Sequence, residues 1–198
     1  MEHLPIVCEH TNVELGTLPR AEAIAQQAWC RSTNVFILNS RGDLLCHQRS
    51  PLKERLPNGW STHVGGHVGV GETYETNALK ELHEEAGVNA APERLIQWRT
   101  TKHQKSRLWI REYVILHDAP ASHFTPQPGE VEKFEWMSLE EILRSHSEDP
   151  SNWYAGTHDI KSEYEAMRAA LVVAHNLGSI EVPTEMHSWH PVNAIAAA

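Results

Sequence analysis

A glycine-rich loop that runs straight into a short amphipathic helix, residues 66–88, constrains this chain more than any other stretch. Thr73 is placed to cap the helix, Glu75 sits in its first turn where the dipole favours an anion, and Gly87 follows the last periodic residue. Tyr74, Ala78, Leu79, Leu82 and Ala86 recur at helical spacing as one apolar stripe, so the helix is docked on something. On the other face Glu81, Glu84 and Glu85 stand at i, i+3 and i+4. Like charges so spaced repel by a few tenths of a kcal/mol, roughly, per pair. Glu84 and Glu85 also occupy the last turn, where the dipole disfavours anions by ~0.3–1 kcal/mol each. Lys80, four residues before Glu84, offsets only part of this. A bound divalent cation removes the conflict, and hard oxygen ligands suit Mg²⁺ or Mn²⁺ rather than zinc.

Three carboxylates beside a lysine are, taken alone, also the pattern of a solvated helix face. The surrounding residues decide the matter. Gly66, five residues, Glu72, seven residues, then Lys80-Glu81-Leu82-His83-Glu84-Glu85-Ala86-Gly87-Val88 resembles the Nudix box, with Lys80 where that family has Arg. The likeness extends from about Gly16 to Leu143. Gln48-Arg49-Ser50 with Lys53, and Trp60 before Gly66-His67-Val68, look like the Nudix branch related to isopentenyl diphosphate isomerase.

The resemblance implies a Nudix α/β/α sandwich with a mixed sheet, joined here by a C-terminal helix. It implies Mg²⁺-dependent (Mn²⁺ possible) hydrolysis of a diphosphate bond in a nucleoside diphosphate linked to another moiety. By the same likeness Glu81, Glu84 and Glu85 are metal ligands, with the Gly66 backbone close to the ion. Glu81, Glu84 and the loop residue Glu130 are the catalytic carboxylates, with Glu132 a second loop candidate for the base. Lys80 orients the neighbouring Glu81, less firmly than a two-pronged guanidinium would. Glu72 steadies the loop and the helix start. Substrate contacts fall to Arg49, Lys53, Gly65, His67 and Trp60. Arg49 and Lys53 are equally ordinary solvated cations, and Trp60 is also a candidate for closing the sheet. An isomerase needs a cysteine just before His67, where this chain has Val64-Gly65-Gly66. A binding module of the same fold usually loses box carboxylates, and here all are kept. Hydrolysis is therefore favoured over both.

A net charge of −9 excludes a surface built for duplex nucleic acid but not a phosphorylated small molecule that comes with a metal. Cys8, Cys30 and Cys46 form no paired spacing, and the N-terminus has no basic start followed by an apolar run. No stretch nears the ~20 apolar residues of a membrane span. A cytoplasmic protein, monomer or homodimer, is expected. Most of the 14 histidines read as structural, with His63 and His67 flanking the loop and His187 and His190 bracketing Trp189.

The chain reads as one domain over residues 1–180, with its core at 30–145 and a tail at 181–198. Predicted strands are Ile6–Cys8, Val13–Thr17, Ser32–Leu38, Leu44–Arg49, Arg94–Lys102, Leu108–His117 and Lys133–Met137. Helices are predicted at Ala21–Gln27, after Ser138 to Leu143, and from Ile160 to a stop at Asn176-Leu177-Gly178. The strands Ser32–Leu38 and Leu44–Arg49 are expected to form a hairpin across Asn39–Asp43.

Overall fold

The computed structural model describes residues 2–154 and 159–178. In chain order its elements are β1 (His3–Val7), β2 (Glu14–Pro19), α1 (Arg20–Ala25), β3 (Cys30–Leu38), β4 (Leu44–Arg49), β5 (Trp60–Ser61), α2 (Tyr74–Ala86), β6 (Ile96–His103), β7 (Leu108–Leu116), β8 (Val131–Met137), α3 (Leu139–Glu148) and α4 (Ile160–Asn176). The α/β/α sandwich with a mixed sheet is the observed architecture.

β3 explains the layering. Its run Val35-Phe36-Ile37-Leu38 is buried throughout, and alternation sends Val35 and Ile37 to one face and Phe36 and Leu38 to the other. A strand apolar on both faces must be covered on both. α2 covers the first face through Tyr74, Ala78, Leu82 and Ala86. α3 and α4 cover the second through Ile142, Ile160, Tyr164, Met167 and Leu171. The Tyr164 hydroxyl donates to the Gly42 carbonyl at 2.7 Å and ties α4 to the β3–β4 turn. β7 runs parallel to β3 along its whole length, and β6 lies antiparallel to β7.

The expected hairpin of β3 and β4 is corrected: the two strands pair only where Leu38 faces Leu44. Beyond that point the segment from Gly59 to Val68 is wedged between them. Arg49 N–H donates to the Gly59 carbonyl at 2.8 Å on the β4 side. On the β3 side Val35 and Val64 exchange hydrogen bonds of 2.8 and 3.1 Å, and Thr33 N–H donates to Gly66 at 2.9 Å. The sheet therefore forks, with β8 on the outer edge of β4, and the glycine-rich loop lies in the fork.

The other differences are at element ends. Pro92–Arg94 forms a 3₁₀ turn, which delays β6 to Ile96. α3 runs on past Leu143 to Glu148, its start fixed by a capping box between Ser138 and Glu141. β1 and β2 form a separate hairpin turning at Asn12 (φ +57°), and with α1 they close a small cluster around Leu4, Ala23 and Cys30. Among the described residues no helix is long and apolar enough to cross a membrane. His187, Trp189, His190 and the rest of the predicted tail lie outside the described residues.

Candidate active site

The site begins with two missing side chains. A Cβ on Gly65 would lie 2.0 Å from the Thr33 carbonyl oxygen, and one on Gly66 would lie 2.6 Å from Glu81 Oε1. Only glycine lets the loop press against β3 on one side and admit a carboxylate on the other. α2 then aims its charged face at this turn. Its start is fixed by Thr73 and Thr76, which cap each other's backbone N–H groups at 3.1 and 2.9 Å. Its end is set by Gly87 at φ +71°.

Asn77, fully buried, is the hub that joins loop, helix and strand. Its Nδ2 donates to the His67 carbonyl at 3.0 Å, to Glu72 at 3.1 Å and to Glu81 at 3.3 Å, while its Oδ1 accepts the Thr33 hydroxyl at 2.5 Å. Glu72 also accepts Gly69 N–H at 2.7 Å and Lys80 Nζ at 2.9 Å. Burial opposes ionisation of Glu72, but these donors outweigh it and hold the carboxyl below its ordinary range. Lys80 stands 3.7 Å from Glu81 as well, so one ammonium serves two carboxylates.

Further along α2 the balance reverses. Burial, with the charge of Glu84, pushes the Glu81 carboxyl up against the pull of Lys80. Glu85 is pushed up to about 8, first by burial and then by Glu81, although Gly65 N–H donates to its Oε2 at 3.2 Å. Two carboxylates are thus crowded on the glycine turn with too few donors. Glu84 is exposed at the rim. Among the described residues no three His, Cys, Asp or Glu side chains converge as a finished ligand set. Mg²⁺ keeps several waters and takes one or two carboxylates, so the Glu81–Glu85 pair, all hard oxygen, fits such an ion. Gly66 brings its bare Cα against the Glu81 carboxylate. Its carbonyl oxygen already accepts Thr33 N–H and the Ser32 hydroxyl, at 2.9 Å each.

A cleft of about 970 Å³ opens beside the turn. Arg49, Lys53, Gly65, Gly66, His67, Lys80, Glu81, Glu84, Glu85 and Glu130 all line it. Lys53 and Glu130 are joined as an ion pair. Trp60 is not among the lining residues: it packs on Trp153, ring centres 6.3 Å apart, against the core under α3 and α4. Glu132 is exposed on β8 and also lies off the cleft. Sequence reasoning missed Asn77, His47, Arg55 and Tyr154. Asn77 sits three residues after Tyr74 and four before Glu81, a position that local pattern alone does not tell from the solvent edge of the stripe.

An α/β/α sandwich whose forked sheet holds a glycine turn against the carboxylates of one helix is the architecture of the Nudix hydrolases. The NUDIX domain model matches residues 29–156, and the chain belongs to the Nudix family. It is 30% identical over 145 residues to a Nudix hydrolase of Deinococcus radiodurans, covering 72% of this chain and 82% of that one. It is 35% identical over 106 residues to an uncharacterized Nudix hydrolase of Pseudomonas aeruginosa, a match spanning 54% of this chain but only 63% of that relative's length. The crystal structure of DR0079 from Deinococcus radiodurans superposes with a TM-score of 0.64 at 27% identity, over 75% of this chain and 90% of that one.

Proposed function

We propose that this chain is a divalent-metal-dependent pyrophosphohydrolase that cleaves a diphosphate bond in a nucleoside diphosphate linked to another moiety. The observation that carries this reading is the crowding of Glu81 and Glu85 on the Gly65–Gly66 turn, in a cleft that also holds Arg49 and Lys53. Residues 1–180 act as one domain in this reading, because α4 supplies Ile160, Tyr164, Met167 and Leu171 to the second core layer. The isomerase alternative lacks its cysteine at the turn, where Val64, Gly65 and Gly66 stand.

Glu81 and Glu85 hold Mg²⁺ or Mn²⁺, with Glu84 at the rim available to a second ion. When bound, such an ion neutralises the diphosphate and lowers the pKa of a coordinated water. Lys80 and Asn77 keep the Glu81 carboxylate turned to the glycine loop. Arg49 and Lys53 contact phosphate oxygens. Lys53 begins paired with Glu130, so transfer of its ammonium to the substrate frees the Glu130 carboxylate to accept the proton of the attacking water. The new oxygen–phosphorus bond forms as the anhydride bond opposite it breaks, and the departing phosphate leaves as the anion. His67 and the Gly65 backbone bound the space in which the diphosphate lies.

The test is a phosphate-release screen in Mg²⁺ over nucleotide sugars, dinucleoside polyphosphates and oxidised nucleoside triphosphates. Turnover of at least one class is expected, reduced on the order of 10²-fold by Glu85→Gln. Equal turnover by wild type and Glu85→Gln defeats the assignment.

A further inference from the structure

At one end of the cleft two guanidinium groups gather on a single aromatic ring. The Arg49 and Arg55 guanidinium carbons lie 5.1 and 5.3 Å from the centre of the Tyr154 ring. Arg49 is held there by its Nε and Nη2, which donate to the Arg55 carbonyl at 3.2 and 3.0 Å. Among the described residues no carboxylate lies within ion-pair distance of either guanidinium. The chain carries a surplus of nine negative charges, and Glu54 stands next to Arg55 in the same cleft, yet neither guanidinium is drawn into an ion pair.

Tyr154 reaches the cleft by a backbone device. Its N–H donates to the Trp60 carbonyl at 2.7 Å, and Trp153 bridges Trp60 in parallel, so the chain after α3 is stitched to β5. One imidazole stands against the ring and a second lines the same cleft. His63 meets Tyr154 edge-on with ring centres 6.0 Å apart. His47, only 5% exposed, also lines the cleft, and the Nδ1 atoms of His47 and His63 are buried without a hydrogen-bond partner among the described residues. Burying such an atom without a partner costs roughly 1–3 kcal/mol, an expense usually met where a ligand or ordered water completes the set. Two like charges without an anion, and two buried nitrogens without a partner, share one wall.

We infer that Arg55 and Tyr154, with Arg49 and the imidazoles of His47 and His63, form a second anion-binding position that takes a phosphoryl group beyond the anhydride held at the carboxylates. The inference rests on the diphosphate reading of the carboxylate end and specifies its substrate class: chains of three or more phosphoryl groups. Lys53, paired with Glu130, lines the same cleft as both positions. A phosphate chain lying in the cleft therefore has the carboxylates, Lys53 and the guanidinium pair all on its walls. Tyr154 acts by holding both cations in place through their contact with its ring.

Calorimetric titration with inorganic tripolyphosphate, in EDTA and low salt, tests this without any metal or turnover. Wild type is expected to bind. Arg55→Ala should bind about tenfold more weakly, and Tyr154→Leu about threefold more weakly. Lys161→Ala, an exposed cation on α4, should bind as wild type does. Arg55 is exposed on a loop, so its variant keeps the fold; a thermal midpoint within about 2 °C of wild type checks this. Absence of wild-type binding, or equal binding by wild type and Arg55→Ala, overturns the inference. The parallel hydrolysis screen keeps the two readings apart. Turnover with no Arg55 effect on tripolyphosphate sinks only the second position, whereas Arg55-dependent binding with no turnover of any anhydride sinks only the hydrolase.

Discussion

The two ends of α2 are built to opposite rules. From Glu72 to Lys80 the buried and capping polar groups have partners: a reciprocal cap, the Asn77 hub, and Glu72 held by Lys80 and Gly69. From Glu81 to Glu85 acids accumulate where the dipole opposes them, and Glu85 is held neutral to about pH 8 by burial and by Glu81. One half of the helix is what folding alone selects. The other half opposes folding of the isolated chain, and in the proposed reading a bound cation relieves it, which would distinguish a functional end from a structural one.

The contrast breaks most visibly at the turn both halves depend on. Gly65→Ala places a Cβ 2.0 Å from the Thr33 carbonyl, at a φ of +151° that L residues rarely adopt. A loss of more than ~3 kcal/mol is expected, read as a shift in the urea midpoint. A loss under ~1 kcal/mol would mean that β3 and the loop are not in register as described.

At the functional end, Glu85→Gln should cost about 10²-fold in turnover, or ~2.7 kcal/mol of barrier. In EDTA the same variant should melt no lower than wild type, because a neutral amide removes the conflict with Glu81. Adding Mg²⁺ should raise the melting temperature of wild type but not of the variant. If Glu85→Gln melts well below wild type without metal, the carboxylate is structural and the contrast fails. At the opposite end Asn77→Ala should destabilise by about 2 kcal/mol with or without Mg²⁺, since it strands the Thr33 hydroxyl and the His67 carbonyl. A hydrogen-exchange measurement on the Thr33 and His67 region checks whether loop and strand part company.

Legibility in the sequence follows the same line. Both helix ends were readable, because a cap, a stop and a run of acids are local patterns. Asn77 was not, because a polar residue inside an apolar stripe looks like its solvent edge until Thr33 and Glu72 are brought to it. The forked sheet was hidden for a similar reason. The turn at Asn39–Asp43 makes β3 and β4 adjacent, but nothing local says that Gly59–Val68 will part them. Tyr154 comes to Trp60 across more than ninety residues, a distance no periodicity spans. At Gly66 the pattern points to a close backbone approach, but nothing local says that its carbonyl accepts from both Ser32 and Thr33.

Acid should separate the cationic wall from the carboxylate end. Burial holds His47 neutral to about pH 3, with the charges of His63 and Arg49 adding to the effect. Burial, then Arg49, holds His63 neutral to about pH 4. The unfolded chain takes up protons at these sites near pH 6.5. Below that pH it binds more protons than the native state, so stability falls as pH falls from 6.5 toward 4. Each such histidine contributes up to about 1.4 kcal/mol per pH unit in this window. Glu85 acts with the opposite sign, since its raised carboxyl stabilises at low pH and loses that contribution as pH rises through about 8. Urea titrations at pH 6.5 and 5.5 in the Glu85→Gln background isolate the histidine slope, and His63→Gln should reduce it. A flat profile in that background would show that both imidazoles reach solvent.

The smallest effect belongs to the residue at the joint. Lys80 gives one ammonium to Glu72 at 2.9 Å and stands 3.7 Å from Glu81, too far for a second good hydrogen bond. A guanidinium presents several donors in a fixed fork and can reach both carboxylates at once. Lys80→Arg should therefore fix Glu81 more firmly and raise turnover about threefold, or ~0.7 kcal/mol. Stability should change by less than ~0.5 kcal/mol, since Glu72 keeps its donor in either case. The informative quantity is which kinetic constant moves. A rise in kcat at constant KM places Lys80 with the functional end, acting through Glu81. A shift in melting temperature at constant kcat would instead assign it to the structural half, acting through Glu72.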